Sequence, residues 1–278
     1  MSGRLVLVAT PIGNLGDIST RSLDALRTAD AIACEDTRRT GGLLHHFGIP
    51  HGRMIVVNEH TEVDRIPELI TLIAGGSTVV LVSDAGTPGI SDPGERLVRA
   101  AIHDGLGVEA VPGPAALIMA LVLSGCSTRR FAFDGFLPRS GRERGERLAE
   151  LATERRTVVL YEAPHRIVRT VADLAAICGD DRRIALCREL TKMHEEVWRG
   201  TMAEAVAHTA AVDPLGEYVI VIDGAPDDRP ADDDAIRAAL SDCLDRGMTT
   251  KSAVVEVTAT LRVPKRTVYA LALALAER

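Results

Sequence analysis

The chain has 278 residues, 46% of them hydrophobic, and a formal net charge of −7, which is enough sequence for two α/β domains and an appendix. No apolar run approaches the ~20 residues that a bilayer span needs, and no charged-then-apolar leader opens the chain, so neither a membrane nor an exported protein is expected. The five cysteines, Cys34, Cys126, Cys178, Cys187 and Cys243, show no C-x-x-C spacing; this argues against a disulfide framework or a zinc site and suits reduced thiols in the cytoplasm.

The first apolar run, Arg4–Val8, reads as a strand and leads into Ala9-Thr-Pro-Ile-Gly-Asn-Leu-Gly-Asp17. A helical pattern follows at Ser19–Ala29, with Ser19 as its N-cap. Further strands are expected at Ala31–Cys34, Met54–Val57, Thr78–Val82 and Val108–Val111, separated by helical stretches. That alternation is the signature of a doubly wound parallel sheet. The loop after the fourth strand holds Asp84, Gly86, Pro88, Gly89, Asp92, Pro93 and Gly94. A merely structural βα turn seldom repeats Gly and Pro so densely. In open parallel sheets ligands sit in the loops at the strands' carboxyl ends, and glycine lets them approach the backbone. Gly86→Val is therefore expected to block a ligand with little loss of fold, the loop being a surface element.

After Pro112-Gly-Pro114 comes an apolar helix, Ala115–Ser124, and the pattern changes. Strands are expected at Phe131–Phe136, Thr157–Tyr161, Ile184–Arg188, Glu195–Arg199 and Tyr218–Ile222, with long helices near Arg142–Glu154 and His165–Ile177. The third and fourth of these strands are close enough for a hairpin, so the second sheet should be mixed. The expected division is 1–114, 115–224 and, beyond an Asp- and Pro-rich linker over Gly224–Asp234, a tail at 232–278. Three short helices are expected in the tail. The stretch Thr249–Tyr269, turning around Leu261–Val263, has helix-turn-helix spacing with Lys251, Arg262, Lys265 and Arg266 near one another. A helical packing cap fits the pattern equally well.

Charge is distributed unevenly. Arg129 to Arg169 contains ten Arg and no Lys against six acidic residues, whereas Asp223 to Asp245 contains eight Asp against two Arg. A local basic segment can meet phosphate even in an acidic protein, although alternating Arg and Glu also suit a solvated helix face. Several chemistries lack their residues: there is no G-x-x-x-x-G-K-[ST], no G-x-G-x-x-G and no G-x-S-x-G. His45 and His46 are adjacent and lack a carboxylate at ligand spacing, so no metal is expected. Aromatics at 3% are too few for a base-stacking sheet of the RRM kind. What remains is a polar, glycine-rich bed at strand ends, suited to a small ligand with hydroxyls and a positive centre.

Seven motifs occur in one order: Thr10-Pro-Ile-Gly-Asn-Leu-Gly-Asp17, Glu35-Asp-Thr-Arg38, Ser83-Asp-Ala-Gly-Thr-Pro88 with Ser91-Asp-Pro-Gly94, Pro112-Gly-Pro114, Tyr161-Glu-Ala-Pro-His-Arg166, Arg188-Glu-Leu-Thr-Lys192 and Gly216-Glu-Tyr218. Over about residues 4–223 the chain resembles the bacterial small-subunit ribosomal RNA methyltransferase I family, within the tetrapyrrole methylase superfamily. Thr10–Asp17 departs from the G-x-G-x-G-D loop of tetrapyrrole relatives, which favours the RNA branch. The resemblance implies an α/β tetrapyrrole-methylase-like fold with a parallel first domain and a mixed-sheet second domain, S-adenosylmethionine as donor in the cleft between them, a cytidine ribose 2′-hydroxyl of 16S rRNA near the decoding centre, free or in the small subunit, as acceptor, and a homodimer.

With that family in view, donor contacts are expected at Pro11, Asp84, Gly86, Ile90, Ser91, Pro114, Ala115, Tyr161, Glu162 and Leu190. Bases for the hydroxyl proton are Glu35, Asp36, Glu162 and Glu189, with Lys192 if its pKa is depressed; the sequence does not choose among them. Arg38, Arg139, Arg142 and Arg166, with Lys251, Lys265 and Arg266 in the tail, are expected to meet RNA phosphates. Three other classes stay open: a tetrapyrrole methylase, a non-enzymatic RNA-binding assembly factor and a nucleotide hydrolase.

Overall fold

A computed structural model describes residues 3–50, 52–226, 233–261 and 263–276. Most of the expected linker and Arg262 lie outside the described residues. The chain divides into two units, Met1–Ala225 and Pro226–Arg278.

The first unit begins with five strands, β1 (Arg4–Val8), β2 (Ala31–Cys34), β3 (Arg53–Val56), β4 (Thr78–Val82) and β5 (Gly107–Val111). They form one parallel sheet in the order β3-β2-β4-β1-β5. The central strands β2, β4 and most of β1 are buried on both faces, as a parallel sheet requires, while the edge strand β5 is largely exposed. Leu5, Val79 and Leu81 point toward α3 (Glu62–Ala74) and α4 (Glu95–His103). Val6, Val8, Val80 and Val82 point the other way, toward α1 (Thr20–Arg27) and α2 (Thr37–His46). Ser19 caps α1 by accepting from the Ser22 amide, and Asp36 caps α2. The chain leaves β1 in one direction and β4 in the other, so the strand order reverses between these neighbours. Crevices at such a reversal are where α/β sheets hold ligands.

The second sheet is mixed. Its strands are β6 (Phe131–Phe136), β7 (Thr157–Glu162), β8 (Arg183–Arg188), β9 (Glu196–Thr201) and β10 (Tyr218–Ile222), ordered β6-β7-β10-β8-β9. Only β6 and β7 pair in parallel; β8 and β9 form the expected hairpin. One face packs on α6 (Gly141–Thr153), α7 (Pro164–Cys178) and α8 (Met202–Ala211). The other packs on the buried side of α5 (Ala116–Ser124), through Leu117, Ala120 and Leu121. Thr201 and Glu204 close a capping box on α8.

The second unit is three helices, α9 (Asp233–Asp245), α10 (Thr250–Leu261) and α11 (Lys265–Ala276), around a core that includes Ile236, Leu240, Val254, Val257 and Val268. Among the described residues no helix is long and apolar enough to cross a membrane.

Candidate active site

The loops leaving β1 and β4 are clasped together. Thr10 and Gly86 exchange both backbone hydrogen bonds, at 2.9 and 3.1 Å. The Thr87 hydroxyl donates to the Pro114 carbonyl at 3.1 Å, which adds the loop after β5. Gly86 has φ +83, and a Cβ there would sit 3.4 Å from Ile12 and 3.8 Å from the Pro114 carbonyl. The expectation that Val here would cost the fold little is thereby corrected. Gly86 is buried, and a β-branched residue at this φ is strained.

Across from these loops stand the end of β7, the start of α7 and the segment from Glu189 to Lys192. Together the walls enclose a cavity of about 490 Å³. Its apolar floor comes from Ile12, Leu190 and Val219, all buried. Among the described residues, the non-glycine residues with positive φ are Ser91 (59°), Glu189 (52°) and Thr191 (66°). Each costs the fold on the order of 1–2 kcal/mol, and all three lie in loops at the cavity. Neighbours leave no room for side chains at Gly13, which packs on Lys192, or at Gly216, which packs on Glu189.

Three carboxylates share the wall beneath β2 and β4. Burial pushes Asp92 up to about 6, helped by the charge of Glu35. Burial also raises Glu35, with the charge of Asp84 next. Asp84 is raised by burial too, although Arg39, whose Nε lies 3.4 Å from Oδ2, opposes the shift. Like charges held in a partly dry wall favour protons, or a cation, among them. No group of three or more metal-ligating side chains is arranged to hold a metal among the described residues.

Of the residues expected to touch a donor, Asp84, Gly86, Ile90, Ser91, Ala115, Tyr161, Glu162 and Leu190 line this cavity. Pro11 instead lines an adjacent recess of about 200 Å³ that shares Asp84 and Arg39. Pro114 contributes the carbonyl that holds Thr87.

The candidate bases separate clearly. Asp36 is outside the cavity lining and is pulled down to about 2 by hydrogen bonds from Arg38, which makes it a poor proton acceptor. Glu162 is buried against Arg166, Thr170 and the Ala163 amide. Burial raises Glu189, but hydrogen bonds from Lys192 and the Glu217 amide outweigh it and leave its pKa low. For Lys192, burial lowers the pKa, yet hydrogen bonds to Glu189 and Glu217, both 2.8 Å, leave it raised. The depressed lysine that would act as a base is therefore not found. Glu35 remains, joined by Asp92, which the reading by motif did not single out as a site residue. Arg39, His165, Cys187 and Glu217 also line the cavity without having been expected there.

The basic candidates differ in freedom. Arg38 and Arg142 are about nine-tenths exposed, at 90% and 91%, and pair with Asp36 and Glu146. Arg139 is exposed. Lys251 on α10 and Lys265 and Arg266 at the start of α11 are exposed within the second unit. Arg166 is committed internally: it is 17% exposed, pairs with Glu162 at 3.1 Å and donates to the Leu137 carbonyl. Arg166→Ala strands a buried carboxylate and is expected to cost about 3 kcal/mol of stability. Thermal melting and the KM for RNA, measured on one variant, decide its role. An unchanged melting temperature with a raised KM would favour phosphate contact over this internal one.

A family model described as Tetrapyrrole (Corrin/Porphyrin) Methylases matches residues 4–206. A ribosomal RNA small subunit methyltransferase I of Synechocystis sp. is 46% identical over 275 residues, covering 98% of both chains. A protein of the same name from Thermotoga maritima is 44% identical over 222 residues, 80% of this chain and 99% of its own. Among solved structures, uroporphyrin-III C-methyltransferase from Thermus thermophilus, complexed with S-adenosyl homocysteine, superposes with TM-score 0.56 at 20% identity, covering 79% of this chain and 97% of that one. A cobalt precorrin-4 methyltransferase gives 0.59 at 16%, covering 79% and 94%. At such identities the likeness is one of fold.

Proposed function

This chain belongs to the ribosomal RNA small subunit methyltransferase I family of tetrapyrrole methylases, and from that premise we propose that it methylates the 2′-hydroxyl of a cytidine ribose in 16S rRNA, with S-adenosylmethionine as donor. The observation that carries this reading is the cavity at the strand-order reversal, lined by residues from six of the seven motifs. The donor, when bound, supplies an electrophilic methyl on a positive sulfur. Its fit rests on the chemistry of the walls. The Asp84, Asp92 and Glu35 carboxylates suit a cation and hydroxyls, and Ile12, Leu190 and Val219 suit a flat apolar ring.

The chain's own work is to bind, orient and take up a proton. The clasped loops hold one reactant in place, and such positioning supplies most of the catalysis. When the ribose oxygen gains a methyl it must lose its proton. Asp92, with a pKa of about 6, is best matched to receive it near neutral pH, and Glu35 is the second choice.

We read residues 1–114 as the lobe that carries the donor loops, 115–224 as the lobe that faces them, and 232–278 as an RNA-gripping tail. Lys251, Lys265 and Arg266 in the tail, with Arg38, Arg139 and Arg142 in the first unit, are the phosphate contacts. The reaction takes place in the cytoplasm, where ribosomal RNA is made. A homodimer fits the outward side of α5, where Ile118, Met119, Val122 and Leu123 are 39%, 38%, 58% and 38% exposed. Sedimentation at the mass of one chain would exclude it.

Incubation with small-subunit particles and labelled donor, followed by mapping of the mark, tests the activity. A methyl on the 2′-oxygen of one cytidine is expected. A mark on a porphyrinoid competitor instead, or donor binding with no mark on RNA, overturns the reading.

A further inference from the structure

Aromatic residues are scarce in this chain, with four Phe, three Tyr and one Trp. Three of the eight stand together at the cavity. Phe133 and Phe136 meet Tyr161 edge to face, with ring centroids 4.9 and 5.7 Å apart. Phe133 and Tyr161 are partly buried, yet Phe136 is 52% exposed while also lining the cavity.

The backbone has been bent to put that ring there. β6 pairs with β7 at Phe133 opposite Val159, and pairing resumes at Phe136 opposite Tyr161. Three steps on one strand thus answer two on the other, which is a bulge. Bulges re-aim a side chain beside active sites. Gly135, inside the bulge, has φ +60, and a Cβ on it would lie 3.2 Å from the Ser91 hydroxyl. The residues just after the ring are fastened from below. Arg166 donates to the Leu137 carbonyl, and the buried Arg144 donates to the Pro138 carbonyl at 2.9 Å. Leu137 itself is buried. A large apolar ring is therefore held rigidly, half in solvent, at the edge of the candidate site. Nothing in the packing of the core calls for that placement.

We propose that Phe136 is the platform on which the nucleobase of the acceptor nucleotide stacks. The proposal rests on the RNA-methylating reading above. A ribose 2′-hydroxyl can enter a cavity only when its nucleotide leaves the stack of its neighbours. Aromatic side chains return the lost stacking, and any base will serve because every base has a π-face. The ring lies at the mouth, more exposed than Ile90 at 40%, the other exposed large hydrophobic residue of the lining. The buried floor of Ile12, Leu190 and Val219 already offers the donor an apolar wall. Exposed Arg139 stands three residues further on, within reach of the phosphates of a nucleotide stacked there.

The test uses the full chain, small-subunit RNA and three variants. Phe136→Ala and Phe136→Leu are expected to raise the KM for RNA about tenfold, with donor affinity and melting temperature unchanged. Phe136→Trp is expected to restore the KM, and its added fluorescence, read against the Trp198 background of the wild type, should be quenched when RNA is added. Several results would overturn the proposal: a Leu variant as good as Phe, quenching by S-adenosylhomocysteine alone, or an Ala variant whose sedimenting mass falls. If wild type leaves no methyl on the RNA, the functional reading itself fails. If wild type methylates and Leu matches it, only the stacking role fails.

Discussion

Asp92→Asn is expected to make the protein more stable at neutral pH and a much poorer catalyst. Both effects come from the same carboxyl. Its ordinary pKa is 3.8, and in the fold burial and the charge of Glu35 raise it to about 6. Below pH 3.8 the group is protonated whether the chain is folded or not. Between the two values only the folded chain keeps the proton. Above 6 the folded chain carries a charge it disfavours, a penalty of about 1–3 kcal/mol for a group still partly screened by solvent. Wild-type stability should therefore decline as pH rises from about 4 to 6, and the Asn variant should lack that decline. Melting both proteins at pH 4 and pH 7.5 checks this; an advantage for Asn that is the same at both values would refute the assignment.

For activity, loss of the proton acceptor should lower kcat/KM about 10²–10³-fold. In wild type, kcat/KM for the donor should fall on the acid side with a midpoint near 6. Glu35→Gln should move that midpoint lower, because it removes a charge that raises Asp92. A bound cation would relieve the same repulsion, so donor binding should release protons near pH 6.

The second large effect concerns Glu62, the first residue of α3. Its side chain is nearly buried, and one oxygen accepts from the amides of Gly94, Arg96 and Leu97, each at 3.1 Å. These are amides at the start of α4, whose N-cap is Gly94 and offers no side chain. Gly94 has φ +131 and a would-be Cβ 2.6 Å from Leu81, so a Ser or Asp cap cannot stand there. A carboxylate from a neighbouring helix does the capping instead. Glu62→Ala strands three amides and is expected to cost about 3–4 kcal/mol, or about 10 °C in melting temperature for a unit of this size. Glu62→Gln keeps an acceptor and should lose less. Because α4 anchors the far end of the Ser83–Gly94 loop, donor affinity should fall with stability in the Ala variant. A melting temperature within about a degree of wild type would show that water satisfies those amides as well.

Much of the fold was legible because its information is local. Val79-Val-Leu-Val82 announces a buried parallel strand, and the Gly and Pro density after it announces a ligand loop. Ser19 marks a helix start on its own evidence. Legibility fails where a residue's behaviour is set by partners far along the chain. Asp92 titrates high because the fold buries it and because Glu35, distant in sequence, adds its charge beside it. Lys192 needed a depressed pKa to act as a base, and the Glu217 carboxylate, brought back by β10, helps hold it the other way. Arg142 and Arg144 are two residues apart and look alike in sequence. One is 91% exposed, and the other is buried against Asp173, Thr170 and the Pro138 carbonyl. Helix phase separates them, and a charged side chain on the inner face is invisible to a pattern of apolar spacing.

The place of β10 bears on how the chain is made. The last strand in sequence is the middle strand of its sheet, paired on one side with β7 and on the other with β8. The first sheet is complete in sequence once Val111 has been synthesised, whereas the second lacks its centre until Ile222. At roughly 5–20 residues per second of synthesis, the nascent chain spends about 5–20 s with a finished first lobe. Over its last part, from Arg188 to Ile222 and so for about 2–7 s, the inner edges of β7 and β8 both stand open. Unpaired edges of that kind invite pairing with other chains. A message cut short before Tyr218 would make the interval permanent, so a truncated product should be a target for chaperones and proteases even though every motif through Lys192 is present.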